Sequence, residues 1–162
     1  MRSKKAIIAA VAAFTLATGL AGTAPAGATA SGPAHEPKVP AELLTKLPTG
    51  SATATSFWDP ATASGKPMRY QTIASPYWPL GTKVKVTYQG KSVTGVIEDF
   101  GPAEWAVAQH KVPAIIDLSE LLMRELTGQR SNVVVVDFEV LEWGKGRVYR
   151  DRGTGYDLAF GK

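Results

Sequence analysis

Two aspartates follow predicted β-strands, at positions that suit acid chemistry. Asp99 continues the alternation of Val93 and Ile97, so we expect its carboxylate to face the same interior as those two side chains. A carboxyl group that is shielded from water has a raised pKa and can hold a proton for general-acid catalysis. The alternative is a structural role, in which Asp99 binds backbone N–H groups at the turn that Gly101 begins. The spacing alone favours this structural role.

Asp117 ends a short apolar strand, residues 114–117, and comes just before a helical pattern. An N-cap for that helix, worth about 1 kcal/mol, accounts for Asp117 almost fully, and Ser119 is the other candidate for the cap. If Asp117 is the cap, its replacement by Asn should cost less than about 1 kcal/mol, because an amide also caps. Carboxylates at two strand ends can also share one cleft, so both aspartates are candidates for a catalytic site.

The other polar residue types restrict the chemistry further. Glu98 alternates to the face opposite Asp99 and is predicted to be solvated. His110 is one of 2 histidines and has no partner at the spacing of a metal site. The chain has no cysteine, which excludes disulfides, cysteine-ligated metals and thiol catalysis. We therefore predict neither a metal nor a cofactor.

Aromatic residues cluster around the two aspartates, several of them in loops rich in proline and glycine. Aromatic rings stack on the apolar faces of sugar rings, so an exposed cluster would suit a carbohydrate ligand. The structural alternative, core packing and loop anchoring, is expected for about half of them. The cluster comprises Trp58, Tyr70, Tyr77, Trp78, Phe100 and Trp105.

The central part of the chain predicts mainly strands. Lys83–Tyr88 alternates with period two, Gln89-Gly90 provides a turn, and residues 92–98 return as the second strand of a hairpin. Further strands are predicted at residues 52–58, 114–117 and 133–140, the last a β-branched run typical of a central strand.

One helix is predicted from Asp117 or Ser119 to about Thr127, closed by Gly128. Many short strands with one or two short helices indicate a mainly β fold. A small closed barrel is the form of such a fold that buries its own sheet edges.

Length, composition and charge suit one secreted domain. The chain has 162 residues, 44% hydrophobic content and a mean hydropathy of -0.04, values typical of a single globular domain. Residues 1–30 combine a basic start, a short apolar run and an A-x-A motif, which predicts a cleaved secretory signal peptide rather than a membrane span. Cleavage removes three cations and lowers the net charge from +4 to +1, so the basic precursor does not indicate a nucleic-acid partner.

Three segments are predicted after the signal peptide. Residues 31–50 form a proline-rich linker with a possible helical turn at residues 41–44, residues 51–143 form the folded domain, and residues 144–162 form a basic, glycine-rich tail. The linker and residues 146–162 lack core periodicity, so we expect both to be dispensable for folding. We expect a monomer with no membrane association once the signal peptide is removed.

Four motifs follow one another along the domain: Thr62-Ala63-Ser64-Gly65, Pro79-Leu80-Gly81-Thr82-Lys83-Val84-Lys85-Val86, Asp99-Phe100-Gly101-Pro102 and Ile116-Asp117-Leu118-Ser119. Together they resemble the rare lipoprotein A (RlpA)-like double-psi β-barrel, and also the barrel domain of bacterial expansins. The resemblance covers about residues 51–141. It implies a six-stranded, pseudo-symmetric barrel with an open groove for a glycan strand.

The resemblance also implies roles for individual residues. In RlpA-type lytic transglycosylases the Asp of the D-x-G-P motif is a functional acid, a position held here by Asp99. In expansins the Asp of the D-L-S motif is the key groove residue, a position held by Asp117, and a Thr on the first strand falls on Thr53. Lys66 stands where RlpA-type enzymes tend to have Glu, and Ser75 where they tend to have His.

Lys66 bears directly on the expected state of Asp99. If Lys66 lies across the groove, its charge holds Asp99 ionised, and Asp99 then binds ligand without donating a proton. We expect this paired form. The candidate ligand-contacting residues are Thr53, Lys66, Ser75, Tyr77, Trp78, Phe100 and Trp105.

We therefore predict a secreted, wall-associated protein that binds peptidoglycan or another wall polysaccharide, with lytic transglycosylase chemistry as one outcome. Such a reaction needs a single acid, because a hydroxyl of the substrate is the nucleophile. One alternative is non-lytic, expansin-like loosening of the wall. Another is inhibition of a secreted papain-type protease, as in some actinobacterial proteins similar to this barrel, with Pro76-Tyr77-Trp78 acting as a wedge.

Overall fold

Six β-strands of the computed structural model close into a barrel. The structure describes residues 35–162, so the predicted signal peptide and the first residues of the predicted linker lie outside the described residues. The strands are β1 Thr49–Phe57, β2 Thr72–Ala74, β3 Lys83–Tyr88, β4 Lys91–Asp99, β5 Ala114–Ser119 and β6 Val134–Glu142. The helices are a 3₁₀ turn at Ala41–Thr45, α1 Glu104–Ala108, α2 Glu120–Thr127 and α3 Tyr156–Ala159.

Parallel and antiparallel neighbours are mixed around the barrel, in the order β1-β5-β2-β4-β3-β6. β1 is parallel to β5 and antiparallel to β6, whereas β2 is parallel to β4 and antiparallel to β5. β3 is antiparallel to both of its neighbours, β4 and β6. The predicted fold class, a mainly β six-stranded barrel with short helices, is confirmed.

The β3–β4 hairpin is confirmed where the alternation placed it. Tyr88 pairs with Lys91, which leaves a two-residue turn between the strands. Both turn residues have positive φ, 47° at Gln89 and 81° at Gly90. This is the turn whose twist matches that of a hairpin, and glycine adopts it without strain.

Helix α2 is capped by Ser119 rather than by Asp117. The Ser119 hydroxyl accepts the backbone N–H of Leu122 at 3.1 Å, and Gly128 ends the helix with a φ of 84°. Of the two candidates, Ser119 is therefore the N-cap, and Asp117 lies inside β5. The interpretation of Asp117 as a cap is wrong, which leaves its carboxylate free for another role.

The C-terminal segment, residues 144–162, packs on the barrel. Ala159 is fully buried and Phe160 is 7% exposed, and the indole N–H of Trp78 donates to the Ala159 carbonyl at 2.9 Å. The N–H of Leu80 donates to the carbonyl of Arg147 at 3.0 Å. The segment is therefore packed on the barrel although it has no regular periodicity, and we expect its deletion to destabilise the fold, contrary to the expectation from the sequence.

The described part of the predicted linker is also attached to the barrel. Its helical turn is present as the 3₁₀ turn, and Trp143 donates its indole N–H to the Lys46 carbonyl at 2.8 Å. The N–H of Val140 donates to the carbonyl of buried Pro48 at 3.0 Å. The part of the segment from residue 35 onward is therefore docked rather than free.

A helix able to cross a membrane needs about 20 apolar residues. No helix within residues 35–162 has the length and apolar character to do so.

Candidate functional site

Four residues form a row across four adjacent strands. Thr55 of β1 pairs with Asp117 of β5, Asp117 pairs with Ala74 of β2, and Ala74 pairs with Asp99 of β4. Residues opposite one another in a ladder point to the same side of the sheet, and neighbouring strands are about 4.8 Å apart. The two aspartates therefore flank Ala74 on one face of the barrel wall, separated by about two strand spacings. We call these residues the carboxylate row.

Within the carboxylate row, the fold shifts the protonation equilibrium of Asp117. Its Oδ1 accepts the hydroxyl of Thr55. Burial raises the pKa of Asp117 from 3.8 to about 7, and the negative charge of Asp99 contributes in the same direction. Near neutral pH, Asp117 therefore carries a proton in a large fraction of molecules.

Asp99 has the interior orientation and the turn contacts that its sequence predicted. Its side chain is 6% exposed, and Oδ1 accepts the backbone N–H of Ala63 at 3.1 Å and of Phe100 at 2.9 Å. Lys66 is exposed and takes part in none of the ion pairs found among residues 35–162. The expected ion pair between Lys66 and Asp99 is wrong. The Asp99 carboxylate accepts hydrogen bonds from backbone N–H groups instead.

The loop of the Thr62-Ala63-Ser64-Gly65 motif supplies one of those N–H groups. The Thr62 hydroxyl donates to the Lys66 carbonyl at 2.8 Å, and Gly65 has a φ of +77°, a conformation that favours glycine. The Ser64 N–H donates to the carbonyl of Glu98 at 2.9 Å, which fixes the loop to β4. The motif thus has a physical function, which is to hold Ala63 against Asp99.

Glu98 lies in a second buried network on the other face of β4. Its carboxylate is 3% exposed, forms an ion pair with Arg69 and accepts the Thr72 hydroxyl at 2.7 Å. The prediction that Glu98 is solvated is wrong. Residues 97–99, at the C-terminal end of β4, are buried on both faces of the strand, whereas Thr94, on the same face as Glu98, is exposed. Alternation therefore separates a solvated face from a buried one only in the first part of this strand.

Thr55 and Gly101 belong to the site but were missed by sequence reasoning. Thr55 faces Asp117 across the β1–β5 ladder, whereas Thr53 is 4% exposed and donates its hydroxyl to the Val112 carbonyl at 2.6 Å. A Cβ on Gly101 would lie 2.8 Å from Oδ2 of Asp117. The A-T-A-T and D-x-G-P sequences include both residues, but only the strand register shows which threonine meets Asp117.

Gly101→Ala tests the contact with Asp117. The added methyl group has to displace the Asp117 carboxyl, and we expect a loss of about 2 kcal/mol in the free energy of unfolding, typical of overpacking. The measurement is urea unfolding of both single variants and of the double variant with Asp117→Ala. In the Asp117→Ala background the loss should shrink to about 0.5 kcal/mol or less. An equal loss in both backgrounds would mean that the two side chains are not in contact.

Four of the candidate ligand-contacting residues are buried, Thr53 among them. Tyr77 and Trp78 are 0% exposed, with the Tyr77 hydroxyl donating to the Thr154 carbonyl. Ser75 is also fully buried, and its hydroxyl has no hydrogen-bond partner in the described part of the chain. Contact between a ligand and Tyr77 or Trp78, including the proposed protease wedge, is contradicted because residues of the C-terminal segment cover both rings.

Other aromatic rings are available to a ligand. Phe100 is 54% exposed directly after Asp99, and Trp105 is 71% exposed on α1. Trp58 and Tyr70 are 69% and 45% exposed and line a cavity of about 240 Å³ together with Ser119. Because Phe57 pairs with Ser119, this cavity lies just past the strand ends that position Thr55 and Asp117.

Groups of three or more metal-ligating side chains are not found among residues 35–162.

The barrel and its pair of aspartates define a class of protein, the double-psi β-barrels. A family model described as lytic transglycolase (DPBB_1) matches residues 50–138, more than half of the chain. The chain belongs to this family, and the predicted RlpA-like double-psi β-barrel is confirmed.

Two solved structures are similar to the described barrel. Apo expansin of Clavibacter michiganensis has 17% sequence identity and a TM-score of 0.45, with 61% of this chain and 53% of that chain covered. The Streptomyces papain inhibitor has 21% identity and a TM-score of 0.46, with 61% of this chain and 97% of that chain covered. The chain thus spans about half the length of the expansin. No curated protein gives a significant match.

Proposed function

We propose that this protein binds glycan strands of the bacterial cell wall and cleaves them by lytic transglycosylation, with Asp117 as the acid. The observation that supports the proposal most strongly is the carboxylate row, in which Asp117 has a pKa of about 7 beside the buried Asp99. Acid catalysis commonly uses two neighbouring carboxyl groups whose surroundings give them different pKa values. The predicted signal peptide supports a location outside the cell, in contact with the wall.

The proposed reaction needs one proton donor and no water. Asp117 donates its proton to the glycosidic oxygen as the bond between that oxygen and the anomeric carbon breaks. A hydroxyl of the same sugar then attacks the anomeric carbon, and its proton returns to Asp117. The products are an anhydro sugar end and a free hydroxyl on the leaving sugar, so atoms and charges balance.

The neighbours of Asp117 suit this role. Thr55 donates its hydroxyl hydrogen to Oδ1, so the proton of the neutral acid is placed on Oδ2, which lies against Gly101. Asp99 accepts two backbone N–H groups, and its negative charge opposes ionisation of Asp117. We therefore assign proton donation to Asp117 and the supporting negative charge to Asp99, whereas the resemblance to RlpA-type enzymes implied Asp99 as the acid.

Exposed aromatic rings on both sides of the row suit a sugar chain. Phe100 follows Asp99, and the cavity lined by Trp58 and Tyr70 lies past the end of the Thr55–Asp117 pair. Rings at these places can stack on sugars several units apart.

Digestion of purified peptidoglycan, analysed by mass spectrometry, tests the proposal. We expect anhydro-sugar products from the wild-type protein, with a rate that falls as pH rises through about 7 because Asp117 loses its proton. Asp117→Asn should release no product but still sediment with peptidoglycan. Asp137→Asn, which removes an exposed carboxylate on β6, is the matched control and should retain the wild-type rate.

Other results would contradict the proposal in different ways. Sedimentation with peptidoglycan but no product at any pH would indicate an expansin-like binding protein. Inhibition of papain without binding to peptidoglycan would indicate a protease inhibitor. Product formation by Asp117→Asn would remove Asp117 from the acid role.

A further inference from the structure

The C-terminal segment adds a second surface beside the carboxylate row. Residues 144–150 lie beyond residues 50–138, which the family model matches. They are nevertheless held firmly, since the N–H groups of Tyr149 and Arg150 both donate to the Pro76 carbonyl, at 3.3 and 2.8 Å. Pro76 follows Ser75, whose N–H donates to the Asp99 carbonyl at 3.2 Å. The segment is therefore attached directly to the strands that hold the site.

Stacked side chains connect Asp99 to this segment. Phe100, the residue after Asp99, stacks on Tyr149 with ring centroids 4.9 Å apart and an angle of 24° between the planes. The guanidinium of Arg147 lies 5.0 Å from the centroid of the Tyr149 ring. A continuous line of contacts thus runs from the carboxylate row to an exposed cation.

Arg147 also borders a large cavity of positive character. The cavity has a volume of about 470 Å³ and is lined by three cations, Lys38, Lys145 and Arg147, and by one carboxylate, Glu36. Val39 and Val148 provide apolar contact at its wall.

The three cations are not neutralised by ion pairs. None of them belongs to an ion pair in the described residues 35–162. Glu142, the carboxylate that interacts with Lys145, is already paired with Lys83. Arg150 provides a contrast within the same segment, because its guanidinium is engaged by Glu104 at 2.9 Å.

We propose that Lys38, Lys145 and Arg147 form a subsite for an anionic group, a carboxylate or a phosphate, on the wall glycan bound in the carboxylate row. The inference rests on the proposed function for the identity of the glycan. The stacked pair Phe100 and Tyr149 supports the sugars between the two places, and the cavity receives their charged substituent.

The test compares sedimentation of the wild-type protein and of the double variant Lys145→Gln/Arg147→Gln with isolated cell walls. Both side chains are exposed, so the substitutions leave the packed core intact. We expect the affinity to fall about tenfold, with a weaker dependence on salt concentration. Lys91→Gln is the matched control, since it removes a cation at the opposite end of β4 from Asp99. It should bind within twofold of wild type.

Two treated wall samples identify the source of the anion. In one sample phosphate polymers are removed with acid, and in the other the peptidoglycan carboxylates are amidated. The difference between wild type and the double variant should vanish in one of them, which names the group. A double variant that binds untreated walls as tightly as Lys91→Gln overturns the subsite.

An uncharged chitin oligosaccharide separates this inference from the proposed function. Wild type and the double variant should cleave it at equal rates, because it has no anionic group for the cavity. If the wild-type protein cleaves neither this oligosaccharide nor peptidoglycan, the proposed chemistry is contradicted. The comparison of binding to cell walls would still decide whether the subsite exists.

Discussion

Replacing Asp117 with asparagine is expected to stabilise the folded protein by about 4 kcal/mol at pH 8 and to change its stability little at pH 4. The reason is the pKa of Asp117, which burial and the charge of Asp99 raise from 3.8 to about 7. Below about pH 3 folded and unfolded chains both hold this proton, and at pH 4 the unfolded chain has lost it in only about half of the molecules, so the difference in stability is still below about 1 kcal/mol. As the pH rises, the unfolded chain ionises first, and the wild-type protein loses stability until the folded state also ionises above pH 7.

Asparagine removes this loss because it cannot ionise. Its amide oxygen can still accept the hydroxyl of Thr55, so the local contact is kept. The measurement is urea unfolding of wild type and Asp117→Asn at pH 4, 6 and 8. Asp137→Asn, on the exposed face of β6, should show no such dependence. A variant that is less stable than wild type at pH 8 would indicate that Asp117 is a structural residue.

This gain in stability should come with a loss of catalysis. A buried acid that destabilises its own fold at neutral pH is typical of functional sites, where stability and activity oppose each other. The same substitution therefore reports both expected properties of Asp117, its cost to stability at neutral pH and its role as the acid.

Removing residues 146–162 is the second change with a large expected effect, and we expect the truncated protein not to fold. The deletion exposes the fully buried ring of Trp78 and removes the buried side chains Val148, Ala159 and Phe160. A loss of more than about 4 kcal/mol is expected from the apolar contacts alone, which is most of the stability of a typical domain. The near-ultraviolet circular dichroism of Trp78 and the thermal unfolding curve would both report it.

A point variant keeps this prediction testable if the truncated protein cannot be purified. Phe160→Ala should lose about 3 kcal/mol, because the ring packs against Trp143 and Tyr156. Arg152→Gln, at an exposed position of the same segment, should stay within about 0.5 kcal/mol of wild type. A truncated protein that melts within a few degrees of wild type would show that the segment is dispensable after all.

Features with local causes were predictable from the sequence. The β3–β4 hairpin follows from its alternation and its Gln89-Gly90 turn, and the end of α2 follows from Gly128. The inward orientation of Asp99 also follows from alternation along a single strand. Each of these depends on neighbours a few residues away in the chain.

Features that depend on distant pairing were not predictable in the same way. Thr55 meets Asp117 across 62 residues of sequence, and only the β1–β5 register selects it over Thr53. Tyr77 and Trp78 lie between prolines and have the pattern of a surface loop, but the C-terminal segment covers them. That segment is held by backbone hydrogen bonds to loops, which produce no hydrophobic period in the sequence.

Titration of the Asp117 side-chain carboxyl carbon by NMR measures directly whether this group holds a proton at neutral pH. We expect a pKa of about 7 in the wild-type protein. In Asp99→Asn the pKa should be lower, because the repulsion is removed, but still above 3.8, because burial is the larger cause. A wild-type Asp117 that titrates near 4 would contradict its role as the acid, since such a group holds no proton to donate at neutral pH.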